Sequence, residues 1–163
     1  IGANARINDD VWIESIWPEK RVLEHNATDN VNELNTVYII HYGKIKVMVT
    51  GDLTTEDEAK ILDRYRGKDT LQCDVLKVGH HGSKTSSSDE FLDAVNPRIA
   101  VISVGAHNSY GHPNQEILDR LQNHGIAVYR TDINGAVGVD IRGTVLMGIL
   151  CTGGQSLKVD TMR

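Results

Sequence analysis

The sequence predicts an α/β (α+β) domain in which strands come first, helices and strands then alternate, and a hairpin closes the chain. Three observations carry this. Short apolar runs at 75–78 and 99–104 end in turns rich in glycine and hydroxyls, as buried strands do. The segments 54–65, 88–95 and 114–123 repeat apolar residues at helical spacing instead. A chain of 163 residues with 40% hydrophobic and 24% charged side chains has the composition of one soluble globular unit with its own core. Residues 1–163 show no internal repeat and no linker, so they read as one unit.

In order along the chain, Val11–Trp17 reads as a strand stopped by Pro18, whose nitrogen carries no hydrogen to donate. Residues 19–34 are polar and irregular, a loop; its Asn26-Ala27-Thr28 sequon is too short a pattern to carry weight. Asn35–Tyr42 and Lys44–Thr50 are two strands joined by a tight turn at Gly43. Thr54–Tyr65 is a helix: Thr55 and Glu58 have capping-box spacing, Ala59, Leu62 and Tyr65 share a face, and Gly67 ends it. Asp74–Val78 is a buried strand, and Ser88–Val95 a short helix capped by Ser87 or Ser88, with Phe91, Leu92 and Val95 inward. Pro97 opens the next element, the apolar strand Ile99–Val104. Asn114–Asn123 is a helix with Ile117, Leu118 and Leu121 inward, and Ile126–Arg130 a strand. Thr131-Asp132 before Asn134-Gly135 reads as a turn. Ala136–Ile141 and Thr144–Leu150 form a hairpin turning at Arg142-Gly143, and the tail from Thr152 offers an edge strand.

Composition excludes several functions. No apolar run is long enough to cross a bilayer. The net charge of −5 argues against a bulk electrostatic grip on DNA, although bound dications would change the local field and leave nuclease chemistry open. Cys73 and Cys151 lie far apart and make neither a disulfide framework nor a cysteine zinc site; Cys73 leads into a strand and reads as a small core residue. The opening Ile1–Arg6 is neither a signal peptide nor an initiating segment, which leads us to expect a fragment of a longer protein.

The stretch Asp74–Ser88 carries the chemistry. A short apolar run delivers two adjacent imidazoles, His80 and His81, to a strand end, followed by Gly82 and a cluster of hydroxyls. Imidazoles there can bind a metal or move protons; a polar turn that happens to hold two histidines is the plainer alternative. Asp52 follows another strand in Thr50-Gly51-Asp52. If the two strands are parallel neighbours, carboxylate and imidazole share the sheet edge where α/β proteins bind ligands, and nitrogen and oxygen donors suit zinc or manganese.

These blocks, with Asn35-Thr36-Val37, Pro97–Gly105, Asn108–Pro113, Arg130-Thr131-Asp132 and Gly135, resemble the later half of a metallo-β-lactamase-fold domain, in particular the soluble C-terminal domain of ComEC-type DNA-uptake competence proteins. The resemblance implies an αβ/βα sandwich of which this chain covers mainly the C-terminal half. It implies a metal-dependent hydrolase, most specifically a phosphodiesterase or nuclease acting on DNA during uptake. It assigns Asp52 as the carboxylate bridging two divalent ions, zinc or manganese, about 3.5–4 Å apart, and His80 as the late metal ligand. The H-x-H-x-D-H or H-x-D-x-D-H motif that supplies the family's other ligands is absent from this sequence, so most ligands are expected from an N-terminal half outside it. The implied partners are DNA or another phosphodiester, that missing half, and a membrane channel domain holding a soluble domain on the extracytoplasmic face of a bacterial membrane.

The remaining candidates divide between chemistry and structure. His81, facing away from His80 if the chain is extended, donates to substrate, orients His80 or bonds the backbone. Ser83, Lys84, Thr85 and Ser86 can hold a phosphate, or merely precede a helix cap. Asn108 and Tyr110 flank the substrate side of the next loop, and His112 either protonates a leaving alkoxide or caps the helix behind Pro113. His107 reads as a loop residue, and His25, His41 and His124 as incidental, His124 suiting a helix C-terminus. Two other functions fit the same residues: a free-standing metallo-hydrolase acting on another ester, such as a phosphocholine ester or lactone, and a non-catalytic interaction module lacking the first metal motif.

Overall fold

The structure, a computed structural model, describes residues 4–18, 35–142 and 145–152. The expected loop at 19–34 with its sequon, the Gly143 half of the hairpin turn and the tail beyond Thr152 lie outside these residues.

Seven strands form one sheet in chain order: β1 (Ala5–Arg6), β2 (Val11–Trp17), β3 (Val37–Tyr42), β4 (Ile45–Val49), β5 (Val75–Lys77), β6 (Ile99–Ile102) and β7 (Ala127–Arg130). β1 to β4 pair antiparallel. β4 to β7 pair in parallel. Parallel neighbours need crossovers, and these carry the helices α1 (Thr55–Arg64), α2 (Asp89–Val95) and α3 (Gln115–Asn123). Thr131-Asp132 opens not a turn but a one-turn helix, α4 (Thr131–Asn134), before the hairpin β8 (Val137–Arg142) and β9 (Val145–Cys151).

Strand alternation sends successive side chains to opposite faces. Leu76, Ala100 and Ile102 point to one face and pack with Ile61, Phe91, Leu92, Ile117 and Leu121 of the three helices. Val75, Ile99 and Tyr129 point to the other face and pack with Leu146 and Ile149 of the hairpin. Each fully buried side chain of this size contributes roughly 1.5–3 kcal/mol. Helices on one face of a mixed sheet and a small second sheet on the other make the mixed α/β arrangement that the sequence predicts.

Two expectations for α1 are corrected. Its N-cap is Thr54, without a side-chain cap bond, and no Thr55–Glu58 capping box forms. The buried face runs through Glu58 and Ile61, with Leu62 and Tyr65 half-buried, while Ala59 is exposed. Glu58 points inward because its carboxylate serves backbone donors elsewhere in the fold, so the helix is turned one position from the phase its apolar residues suggest. Ser88 caps α2, its Oγ accepting from Phe91 N–H at 3.3 Å. Asn114 caps α3, accepting from Glu116 N–H at 3.1 Å, which removes His112 from that role.

Both cysteines are free. Cys73 is buried, and burial pushes its thiol up to about 12; Cys151 is half-buried. Because the thiolate is the reactive form, a disulfide reagent at about pH 8 is expected to titrate Cys151 in the folded chain and Cys73 only after denaturation. Rapid native labelling of Cys73, located by mass spectrometry, would contradict its burial.

Candidate functional site

The carboxyl ends of β4, β5 and β6 lie side by side, since the register pairs Val49 with Lys77 and Lys77 with Val101. The segments that leave them meet at one edge, the position where α/β sheets present ligand sites. Asp52 is fixed there by its backbone. Asn35 Oδ1 accepts from Asp52 N–H at 2.8 Å, and Asn35 Nδ2 donates to Thr50 O at 2.7 Å. Gly51 has φ +54, and a Cβ there would lie 2.0 Å from Asn35 Oδ1, so this approach requires glycine. Gly51 O in turn accepts from Lys77 Nζ and His80 N–H, each at 3.0 Å. Lys77 is half-buried beside Asp52; burial lowers its pKa and the Asp52 carboxylate opposes that effect.

The histidines are not extended. His80 (φ 46, ψ 41) and His81 (φ 56, ψ 22) are consecutive left-handed residues, and Ser87 (φ 56) is a third in the same loop. Left-handed non-glycine backbone costs roughly 1–3 kcal/mol per residue and concentrates at functional sites. The alternation expected of an extended chain therefore does not apply. His81 Nδ1 donates to Ser103 O at 2.7 Å, and its Nε2 lies 3.5 Å from Asp52 Oδ1. A carbonyl only accepts, so the Nδ1 proton is assigned by this bond and Nε2 is the nitrogen turned to the carboxylate. His80 Nδ1 is buried and has no hydrogen-bond partner among the described residues.

A third loop completes the edge. Asn108 holds it closed, accepting from His112 N–H at 2.9 Å and donating to His112 O at 2.7 Å. The loop seats on the histidine turn at Gly82, where a Cβ would meet Pro113 Cβ at 2.6 Å and where Gly82 O accepts from Asn114 N–H at 2.9 Å. The His80 and His112 rings are 6.0 Å apart, and the exposed Tyr110 ring stacks a further 6.0 Å outward from His112. His112 Nδ1 is likewise buried and unpartnered among the described residues. Burial, then the positive charge that His80 and His81 can carry, lowers the His112 pKa below the ordinary imidazole value.

The hydroxyl loop is built inward as much as outward. Ser86 is buried and its hydroxyl bonds Gly79 O and Ser83 O, each at 2.9 Å. Ser83 is buried, with its Oγ 3.0 Å from Thr85 Oγ1, while Lys84 and Thr85 are exposed. The whole segment hangs on Glu58, which the sequence reading places in a cap. Its carboxylate, 1% exposed as a residue, accepts from Ser87 N–H at 2.5 Å, Ser88 N–H at 2.9 Å and Ser88 Oγ at 2.7 Å. Burial raises its pKa, against the lowering effect of these bonds and of Arg120.

The structure thus brings Asp52, His80, His81 and His112 to one edge, with Lys84, Thr85, Asn108 and Tyr110 around it. It turns Ser83 and Ser86 inward. Neither Asn35 as the clamp on Asp52 nor Glu58 as the anchor of the serine loop is signalled by local pattern, because both act over long sequence separations. A carboxylate beside imidazoles, of which His80 and His112 keep a buried nitrogen unpaired among the described residues, fits zinc or manganese as part of a ligand set. Among the described residues, no three His, Cys, Asp or Glu side chains group as metal ligands. A cavity of about 720 Å³ between α1 and α2 takes no residue from this edge and is lined by charges of both signs.

The profile of the metallo-beta-lactamase superfamily matches residues 27–107. The chain is 40% identical over 118 residues to ComE operon protein 3 of Bacillus subtilis (strain 168), covering 71% of this chain and 15% of that protein. It is 41% identical over 129 residues to competence protein ComA of Neisseria gonorrhoeae, covering 79% and 18%. Recombination protein 2 of Haemophilus influenzae is 38% identical over 117 residues, covering 71% and 14%. The chain therefore spans less than a fifth of the length of each of these relatives.

Removing the Glu58 carboxylate leaves two backbone N–H groups unpaired, at roughly 1–3 kcal/mol for each buried group. Glu58→Ala is expected to lower unfolding free energy in urea by more than about 2 kcal/mol, and Glu58→Gln by less. Because folding raises this pKa, the folded state holds the proton longer. Stability of wild type relative to Glu58→Gln should then fall as pH rises from the unfolded carboxylate pKa through the folded one, and level off above it. A difference that grows over that interval would reverse the sign.

Proposed function

The chain belongs to the metallo-beta-lactamase superfamily, on the branch of ComEC-type competence proteins, and from that premise we propose that it is the later half of a metal-dependent phosphodiesterase acting on DNA. Superfamily membership supports a hydrolase. The observation that carries the finer reading is the meeting of Asp52, the two left-handed histidines and the His112 loop at one parallel-strand edge.

In this reading Asp52 and His80 hold divalent ions, with further ligands supplied by sequence outside this chain. Bound there, the ions would polarise the phosphoryl group and activate water for attack. His80 keeps a buried nitrogen with no partner among the described residues, as a residue reserved for a ligand does. Lys84 and Thr85 are the exposed members of the serine loop and bind the phosphate oxygens. His112 contacts the leaving oxygen. Its pKa lies low in the free site, and the negative charge of a bound phosphodiester would raise it towards the acid form. Asn108 positions that imidazole through both backbone bonds.

One geometric detail favours a second assignment on the same loop. His81 donates Nδ1–H to a backbone carbonyl and presents Nε2 beside Asp52, the arrangement that metal-bound histidines use to fix their tautomer. His81 then joins Asp52 as a ligand instead of acting on substrate.

In the longer protein, Asp52→Ala is expected to lower metal-dependent DNA cleavage by about 100-fold or more and to lower bound metal, measured by elemental analysis. His112→Ala should lower turnover roughly 100-fold with metal content unchanged. Comparing metal content in His80→Ala and His81→Ala separates the two ligand assignments. Full cleavage by Asp52→Ala would remove the phosphodiesterase reading.

A further inference from the structure

The amino ends of the same parallel strands carry a second constellation, at the edge opposite Asp52 and His80. The register aligns Val47 with Val75 and Val75 with Ile99. One residue earlier stand Lys46, Asp74 and Arg98 in a row, each about 4.8 Å from the next, so that Lys46 and Arg98 flank Asp74. Lys44 precedes them in the turn before β4. With Gln72, Cys73 and Asn96, these four line a cavity of about 340 Å³, within the size range of small-ligand sites.

Among the described residues, the cations here lack the carboxylate partners that many cations of this chain have. Its net charge is −5, and the cations Lys60, Arg66, Arg120, Arg130 and Arg142 are each paired with a carboxylate. Among the described residues, the ammonium groups of Lys44 and Lys46 and the guanidinium of Arg98 make no hydrogen bond or ion pair. The one carboxylate in the lining is already engaged with backbone. Asp74 Oδ2 accepts from Lys46 N–H at 2.9 Å, Asp74 O accepts from Arg98 N–H at 3.1 Å, and Asp74 N–H donates to Lys46 O at 2.8 Å. Asp74 is thus a strut between Lys46 and Arg98, tied to the backbone of both, and among the described residues it forms no ion pair with either side chain.

Three like charges held around a cavity repel one another, and an anion seated among them turns that repulsion into attraction. A guanidinium presents paired N–H donors that match two oxygens of a tetrahedral anion, the lysines add point charges, and the Gln72 and Asn96 amides add neutral donors. Three cations against one carboxylate suit a phosphate better than a singly charged carboxylate ligand.

We propose that the notch formed by Lys44, Lys46 and Arg98 is a phosphate-binding site at the sheet edge opposite the candidate hydrolytic site. Residues 74–78 separate the two edges by roughly 13 Å of strand at about 3.3 Å per residue, so a phosphate held here is anchored and not the one at Asp52. The phosphate belongs either to a nucleotide chain or to a free phosphate, and the notch chemistry is the same for both. The inference does not rest on the hydrolase reading.

The test is a titration of the isotope-labelled chain, followed by amide and guanidinium NMR, first with inorganic phosphate and then with an abasic oligodeoxynucleotide. Shifts are expected to centre on Lys46, Asp74 and Arg98. The double variant Lys44→Ala/Arg98→Ala changes two exposed side chains, so its fold is checked by unshifted core resonances. It is expected to weaken binding by about tenfold or more, while Arg142→Ala on the hairpin leaves binding unchanged. Tighter binding of the oligonucleotide identifies a backbone phosphate as the ligand; equal binding identifies free phosphate. Absence of shifts at this notch with both ligands at roughly 10 mM, or binding that the double variant leaves intact, would overturn the proposal.

Discussion

Parallel strands cannot be joined by a tight turn, so each passage between β4, β5, β6 and β7 must leave the sheet and return across a face. That constraint organises the molecule. The crossovers carry α1, α2 and α3 to one face, where Ile61, Phe91 and Leu121 cover Leu76 and Ile102. It leaves the opposite side chains, Val75, Ile99 and Tyr129, to be covered by the terminal hairpin. It also gathers every carboxyl end of these strands at one edge and every amino end at the other. The first edge holds Asp52, His80 and His81, and the second holds Lys46, Asp74 and Arg98.

Gathering the loops would not suffice if they were loose. The serine loop carries three left-handed non-glycine residues, His80, His81 and Ser87, at roughly 1–3 kcal/mol each. Such backbone persists only where its surroundings over-determine it. Glu58 supplies three charge-assisted hydrogen bonds to the end of the loop, and Ser86 ties its middle to Gly79. Gly82 lets Pro113 close onto the turn, which couples the His112 loop to the histidines. The imidazoles that gather at this edge are therefore held by groups that lie in α1 and before α3, well away from it in sequence.

The two edges differ in kind. One presents a carboxylate and imidazoles, donors suited to a cation. The other presents ammonium and guanidinium groups that lack carboxylate partners among the described residues, in a chain whose overall charge is negative. Most of the remaining surface charge is paired locally, as in Lys60 with Asp57 or Arg66 with Asp63, and contributes little net field.

What the sequence determined was local. Apolar runs followed by Gly-Asp or Gly-His-His mark strand ends, and this made the succession of strands and helices along the chain, and the placing of Asp52 and His80 just past strand ends, legible. Hairpin, helix and strand boundaries differ from the expected ones by one or two residues, as terminal residues fray. What only the tertiary structure decided was orientation. The phase of α1 could not be read locally, because the donors that turn Glu58 inward lie 29 and 30 residues later. Alternation sends His81 away from His80 only on an extended chain. Here Gly51 O captures His80 N–H and Ser103 O captures His81 Nδ1, which turns His81 towards Asp52. Lys46 and Arg98 are 52 positions apart in the sequence and come to flank Asp74 only through the β4–β5–β6 register. Hydrogen bonds between distant segments set these directions, and a local pattern carries no record of a partner that folding has yet to bring into reach.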